Sequence, residues 1–78
     1  MPKVNVNVML KREILDPAGQ AVERNLPKMG LDGVNTVRIG KRIELDIDDS
    51  VADPVALATK VASQLLANEV LETFEVEH

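Results

Sequence analysis

The stretch Lys3-Val4-Asn5-Val6-Asn7-Val8-Met9-Leu10 decides how the rest of this chain of 78 residues is read. Val4, Val6, Val8 and Leu10 share one phase, and Asn5, Asn7 and Met9 share the other. Strict period-two alternation with β-branched residues predicts a strand with one face in a core and one face outside it.

Outward from that strand, Leu15-Asp16-Pro17-Ala18-Gly19 opens a helix. Asp16 suits the N-cap, because its carboxylate can accept an otherwise orphaned backbone N–H, and Pro17 at the first helical position gives up an N–H that had no partner anyway. Ala18, Val22, Leu26 and Met29 follow helical spacing, while Glu23, Arg24 and Lys28 fall on the solvated side. Gly30 suits the stop. Pro27 interrupts the pattern and predicts a kink or a loosened last turn, since a proline there removes a helical hydrogen bond.

Asp32-Gly33 marks a turn. Val37, Ile39, Ile43, Leu45 and Ile47 then all occupy odd positions. A two-residue turn at Gly40-Lys41 would break that phase. A three-residue connection, Gly40-Lys41-Arg42, pairs Ile39 with Ile43 and Val37 with Leu45 and keeps it; an unbroken bent strand through Gly40 keeps it too. The hairpin is preferred, because about fourteen residues is long for one strand. Asp53-Pro54 repeats the cap-then-proline start. Leu57, Ala58, Val61, Ala62, Leu65 and Leu66 draw one broad apolar stripe, and Ala67-Asn68 closes the helix. Val70, Phe74 and Val76 share the phase of a last strand.

The predicted order is β-α-β-β-α-β, a single α+β domain over 1–78 with two helices on one face of an antiparallel, ferredoxin-like sheet. Asn5, Asn7, Arg38 and Glu44 are candidates to line the bare face. A chain this short makes a thin core, so oligomerisation is the expected support.

Composition narrows the function. There is no cysteine, and the only histidine is His78, which leaves little for a metal site or a histidine dyad. No apolar run approaches the ~20 residues of a membrane span, and the N-terminus has no long apolar core of a signal peptide, so a cytoplasmic protein is expected. Net charge is −4, divided unevenly: residues 1–42 carry eight Lys/Arg against four Asp/Glu, and residues 43–78 carry one against nine. The overall sign argues against nucleic acid. The asymmetry fits complementary faces meeting in an assembly, or simply two solvated faces. Phe74 is the only aromatic, which also argues against a base-stacking sheet.

Several residues carry two readings. Gly19 fits close packing against a strand or a partner, or tolerance near a helix end. Arg38, Lys41 and Arg42 around Gly40 fit an acidic partner surface or a solvated basic turn. Asp46, Asp48 and Asp49 lack the spacing of a calcium loop and read as a solvated strand end. Asn68 reads as a helix C-cap or an interface hydrogen bond, and Phe74 as core or a dimer anchor.

Three stretches together resemble the PurS family: Ile14-Leu15-Asp16-Pro17-Ala18-Gly19-Gln20-Ala21-Val22, Val37-Arg38-Ile39-Gly40-Lys41, and Leu66-Ala67-Asn68-Glu69-Val70-Leu71-Glu72. The resemblance covers nearly the whole chain. It implies the small, non-catalytic subunit of phosphoribosylformylglycinamidine (FGAM) synthase, a glutamine-dependent, ATP-driven ligase of de novo purine biosynthesis. It implies a dimer or tetramer that bridges a glutaminase subunit and a large synthetase subunit and supports ammonia transfer between them. ATP and Mg are then expected in the synthetase subunit, with no cofactor, metal or catalytic residue in this chain. Arg38, Gly40, Lys41 and Asn68 become the expected partner-interface residues. Two other functions share the pattern: a small-metabolite-binding regulatory βαββαβ module, and a tautomerase using Pro2 as an N-terminal base after loss of Met1, for which Lys3 supplies little of the cationic cluster that chemistry needs.

Overall fold

The structure is a computed structural model describing residues 2–78. Strand β1 (Lys3–Leu10) is the middle of a three-stranded antiparallel sheet, flanked by β2 (Lys41–Asp46) and β3 (Glu72–Glu77) in the order β2-β1-β3. Lys3 lies opposite Asp46 and Val8 opposite Lys41 on one side; Asn5 lies opposite Glu77 and Leu10 opposite Glu72 on the other. The alternation of β1 is realised as expected. Val4, Val6 and Val8 are buried almost completely, each contributing about 1.5–3 kcal/mol of apolar burial. Val4 packs with Ile47 and Ala58, bordered by Leu45, Val51 and Val76. Val6 and Val8 pack with Ala62, bordered by Ile43, Leu66 and Phe74. Phe74 thus sits at the margin of the core.

Helix α2 (Pro54–Val61) covers this face, and the small Ala58 and Ala62 let its backbone come close to β1. The Asp53 carboxylate accepts the Ala56 N–H at 3.1 Å, the cap expected at an Asp-Pro start. Beyond Val61 the chain widens into a π-turn over Ala62–Leu66, in which Ala67 N–H reaches back five residues to the Ala62 carbonyl. That wide turn shifts the helical phase. It explains why the stripe expected from spacing is only half used: Leu66 faces the core, whereas Leu65 is 81% exposed. The last strand begins at Glu72, so Val70 falls in the preceding turn and is exposed rather than in strand phase.

Helix α1 (Pro17–Asn25) is followed by a 3₁₀ turn, Pro27–Met29, closed by Gly30 at φ 76°. This is the loosened end that Pro27 imposes. The chain between Gly30 and β2 departs from expectation. The preferred hairpin does not form: residues 31–40 contain no turn at Gly40 and pair with no strand among the described residues. They run as an unpaired arm straight into β2, the bent-strand alternative. The sheet therefore has three strands where the β-α-β-β-α-β order supplies four. The class stands: α+β, ferredoxin-like, an antiparallel sheet with two helices. What changes is that the edge position beside β2 is vacant.

The vacancy shows in the shape. The chain measures 51 × 26 × 14 Å with a radius of gyration of 16.1 Å, against about 11–12 Å for a compact domain of this length. Leu15, Val22, Met29, Leu31, Val34 and Ile39, all on α1 or its flanking segments, are exposed apolar residues.

Val6→Ala, which empties a fully buried site under Ala62, is expected to lower unfolding free energy by about 2 kcal/mol. Leu65→Ala should stay within about 0.5 kcal/mol. Urea titration followed by circular dichroism measures both.

Candidate functional site

The residues expected at an interface lie where the arm meets the sheet. Asp16 is the hub. One carboxylate oxygen, Oδ1, accepts the Gly19 N–H at 3.0 Å, capping α1, and the other, Oδ2, accepts the Ile39 N–H of the arm at 2.8 Å. Further along the helix, Glu23 Oε2 accepts the Val37 N–H at 3.2 Å. Two carboxylates thus replace a neighbouring strand along one edge of the arm. Gly19 allows this closeness: a methyl group there would strike the Val37 carbonyl oxygen and the Asp16 carboxylate. The packing reading of Gly19 is the correct one. The Asp16 carboxyl is held below the ordinary carboxylate range by the Ile39 N–H, then by the Gly19 N–H, with the Arg38 charge adding to both.

Arg38 is half-buried, and its guanidinium donates to the Leu10 carbonyl where β1 ends. Gly40 is exposed but lies close against β1: a methyl group would meet the Val8 carbonyl oxygen and the Met9 sulfur. Its role is close approach to β1, with no reversal of chain direction. Lys41 opens β2 on the helix-covered face and is paired with Glu72 at 3.9 Å. Glu72 also accepts the Asn68 N–H at 2.8 Å through its other oxygen. Asn68 is not the helix cap. The turn ends at Leu66 with Ala67 extended, and Asn68 instead builds the bend into β3, its side-chain oxygen accepting the Val70 N–H at 3.1 Å and its carbonyl the N–H groups of Leu71 and Glu72.

The structure therefore divides the four expected residues into two sites. Lys41 and Asn68 meet through Glu72 at one end of the helix-covered face. Arg38 points to the opposite, open face, where it helps line a cleft of about 520 Å³ with Met9, Thr73 and Glu75 in its wall; it also borders a second cleft between α1 and the arm. On that open face Asn7 donates to Glu77 at 2.8 Å, and Arg42 lies 3.7 Å from Glu77. Asn5 and Glu44 are opposed across β1 and β2. Glu72 and Glu23 were missed as organising residues; nothing in their spacing distinguishes them from solvated glutamates.

The acidic strand end is a local turn. Asp48 accepts the Ser50 hydroxyl and backbone N–H, which hold its carboxyl below the ordinary range. Pro2 uses its carbonyl to accept the Ile47 N–H at 2.9 Å; removal of Met1, on which the tautomerase alternative depends, lies outside the described residues. No helix among them is long and apolar enough to cross a membrane.

An antiparallel sheet with a vacant edge position, an unpaired arm and an apolar surface left open along α1 define a ferredoxin-like α+β module of the kind that works in association. Comparison with known proteins identifies which. The family model for PurS, phosphoribosylformylglycinamidine (FGAM) synthase, matches residues 3–78, and the chain belongs to that family. It is 46% identical over 76 residues to the phosphoribosylformylglycinamidine synthase subunit PurS of Mycobacterium leprae, covering 97% of this chain and 94% of the relative. It is similar to the solved Bacillus subtilis PurS at a TM-score of 0.86 with 44% identity, covering 99% and 96% of the two chains. It is also similar to a chain of the Thermotoga maritima PurLQS structure at 0.82 with 29% identity, covering 99% and 98%.

Asp16→Ala removes both acceptors of the hub and is expected to destabilise the fold. Because the folded carboxyl titrates below 3.8, the wild-type advantage should be full above that pH. It should vanish as pH falls through the folded value, so wild-type and variant melting curves converge in acid. Thermal melts between pH 2 and 7 test the convergence.

Proposed function

We propose that this chain is the small, non-catalytic assembly subunit of an FGAM synthase, the ligase that converts formylglycinamide ribonucleotide to the amidine using glutamine and ATP. The observation that carries the reading is full-length similarity to PurS subunits combined with surfaces that one chain leaves uncovered. The subunit forms a homo-oligomer and bridges a glutaminase subunit, which releases ammonia, to a large synthetase subunit, where ATP and Mg are bound and ammonia is consumed. Supporting ammonia transfer requires only that the two partners be held in a fixed relation. A rigid module supplies that by positioning, which can lower an effective reaction barrier without contributing a reacting group. The setting is the cytoplasm.

The Lys41–Glu72–Asn68 cluster is the surface assigned to the other subunits. Lys41 is exposed and its ion pair with Glu72 is long at 3.9 Å, so its charge remains available to an acidic surface. Arg38 and Gly40 belong to the arm.

The test is reconstitution. Glutaminase and synthetase subunits are mixed with and without this chain, with glutamine or with ammonium as nitrogen source. Glutamine-dependent turnover should require the chain, and ammonia-fed turnover should require it much less. Glutamine-dependent turnover that ignores the chain sinks the assembly role. Lys41→Glu should leave the fold intact and weaken binding to the synthetase subunit, with the loss larger at low ionic strength; unchanged binding would remove Lys41 from the interface.

A further inference from the structure

Strand β3 closes the other end of the sheet, and its outer side is open. Lys11 donates to the Leu71 carbonyl at 2.9 Å, so that pair is of the hydrogen-bonded type. Alternation along the register gives the same type to Met9–Thr73, Asn7–Glu75 and Asn5–Glu77, whose amides point inward. The amides of Glu72, Phe74 and Val76 then point away from β1. Glu72 donates its own to the Asn68 carbonyl at 2.7 Å. Phe74 and Val76 are left with outward N–H and C=O groups that meet no strand among the described residues. Such an edge is a template for one more strand.

The side chains along this edge define the strand that fits it. On the helix-covered face it presents Phe74 and Val76, half-buried at the margin of the core beside Leu66. On the open face it presents Thr73, Glu75 and Glu77. The strand holds three glutamates and no cation. Lys41 reaches across to Glu72, and Arg42 and Asn7 attend to Glu77. Glu75 is exposed and has no ion pair among the described residues. A strand that alternates apolar residues with Lys or Arg matches both faces at once. Its apolar side chains extend the cover over Phe74 and Val76, and its cations stand against Glu75 and Glu77.

A second copy of β3 is a poor occupant. An antiparallel pair centred on Glu75 sets that residue against itself, and one centred on Val76 sets Glu75 against Glu77. One centred on Phe74 sets Glu72 against Val76. Each register opposes like charges or places a carboxylate on an apolar side chain. We propose that the outer edge of β3 takes an extended, alternately cationic and apolar segment of a partner subunit as a fourth strand. The edge begins at Glu72, within the Lys41–Glu72–Asn68 cluster that faces the other subunits in the proposed assembly, so the two surfaces are continuous. The inference rests on that assembly reading and deepens it, by naming the mode of attachment and the chemistry of the attached segment.

Hydrogen exchange resolved to single amides by mass spectrometry tests it. In the isolated subunit the Phe74 and Val76 amides should exchange fast, while those of Thr73 and Glu75, bonded to β1, exchange slowly. Addition of the glutaminase and synthetase subunits, separately and together, should slow Phe74 and Val76 at least about tenfold in one of these mixtures. Protection already present in the isolated subunit gives the edge to a second copy and overturns the inference. Glu75→Lys should keep its fold by circular dichroism and its sedimentation coefficient. It should bind the partner about tenfold more weakly at low ionic strength, with the gap closing as salt is added. Glu75→Gln, which removes the charge without reversing it, should fall between the two. Unchanged affinity in Glu75→Lys overturns the charge match. A wild-type chain that binds neither subunit fails the assembly reading and this inference with it. Binding with Phe74 and Val76 still exchanging fast fails the inference alone.

Discussion

Much of this structure depends on where the Asp16 carboxylate spends its two oxygens. One closes the start of a helix, a local contact three residues long in sequence. The other reaches twenty-three residues ahead to hold the amide of Ile39. A side chain that serves only as a cap would leave the arm free to fold back at Gly40. With Asp16 and Glu23 taking the inner amides of the arm, the backbone there is already satisfied, and doubling back would forfeit those bonds. The clasp holds the arm extended past Gly40, and the extended arm leaves the outer edge of β2 uncovered.

Two crowded glycines support that choice from opposite sides. Gly19 lets α1 lie directly against the arm backbone, and Gly40 lets the strand pass over Val8 and Met9 where any side chain would collide. Both are places where a residue without Cβ is required by proximity rather than by an unusual dihedral angle. The two positive-φ glycines, Gly30 and Gly33, serve the other purpose and turn the chain out of α1 toward the arm.

The legible part of the fold was the part governed by local rules. Alternation in Lys3–Leu10 and the two Asp-Pro starts follow from side-chain period and capping chemistry, and both appear where expected. Pro27 broke its helix for the reason any proline does. The errors fall where local rules tie. Hairpin and unbroken bent strand keep the same phase through Gly40, so periodicity could not separate them; the difference appears only with contacts between residues far apart in sequence. The π-turn is a second such case, since nothing in Ala62-Ser63-Gln64-Leu65-Leu66 announces an extra residue in the turn. At the interface, Arg38, Gly40, Lys41 and Asn68 were singled out by resemblance and charge. Their division between two faces became visible only with the strand register, because it depends on which way each alternate side chain points. Glu72 was illegible for the same reason: its importance comes from two neighbours, one on another strand.

The strand that everything else leans on stands at residues 3–10, and the neighbour that completes its second side stands at 72–77. Closing that ladder brings together segments far apart in sequence, so its loop entropy must be met before any of its contacts repays it. During synthesis, then, the first of these strands to leave the ribosome has to wait for the last. Until β3 emerges, Val6 and Val8 have no Phe74 or Val76 beside them, and an apolar strand stays open on one flank. The order of the elements makes completion of this core a late event, gated by the arrival of β3 rather than built up steadily as the chain grows.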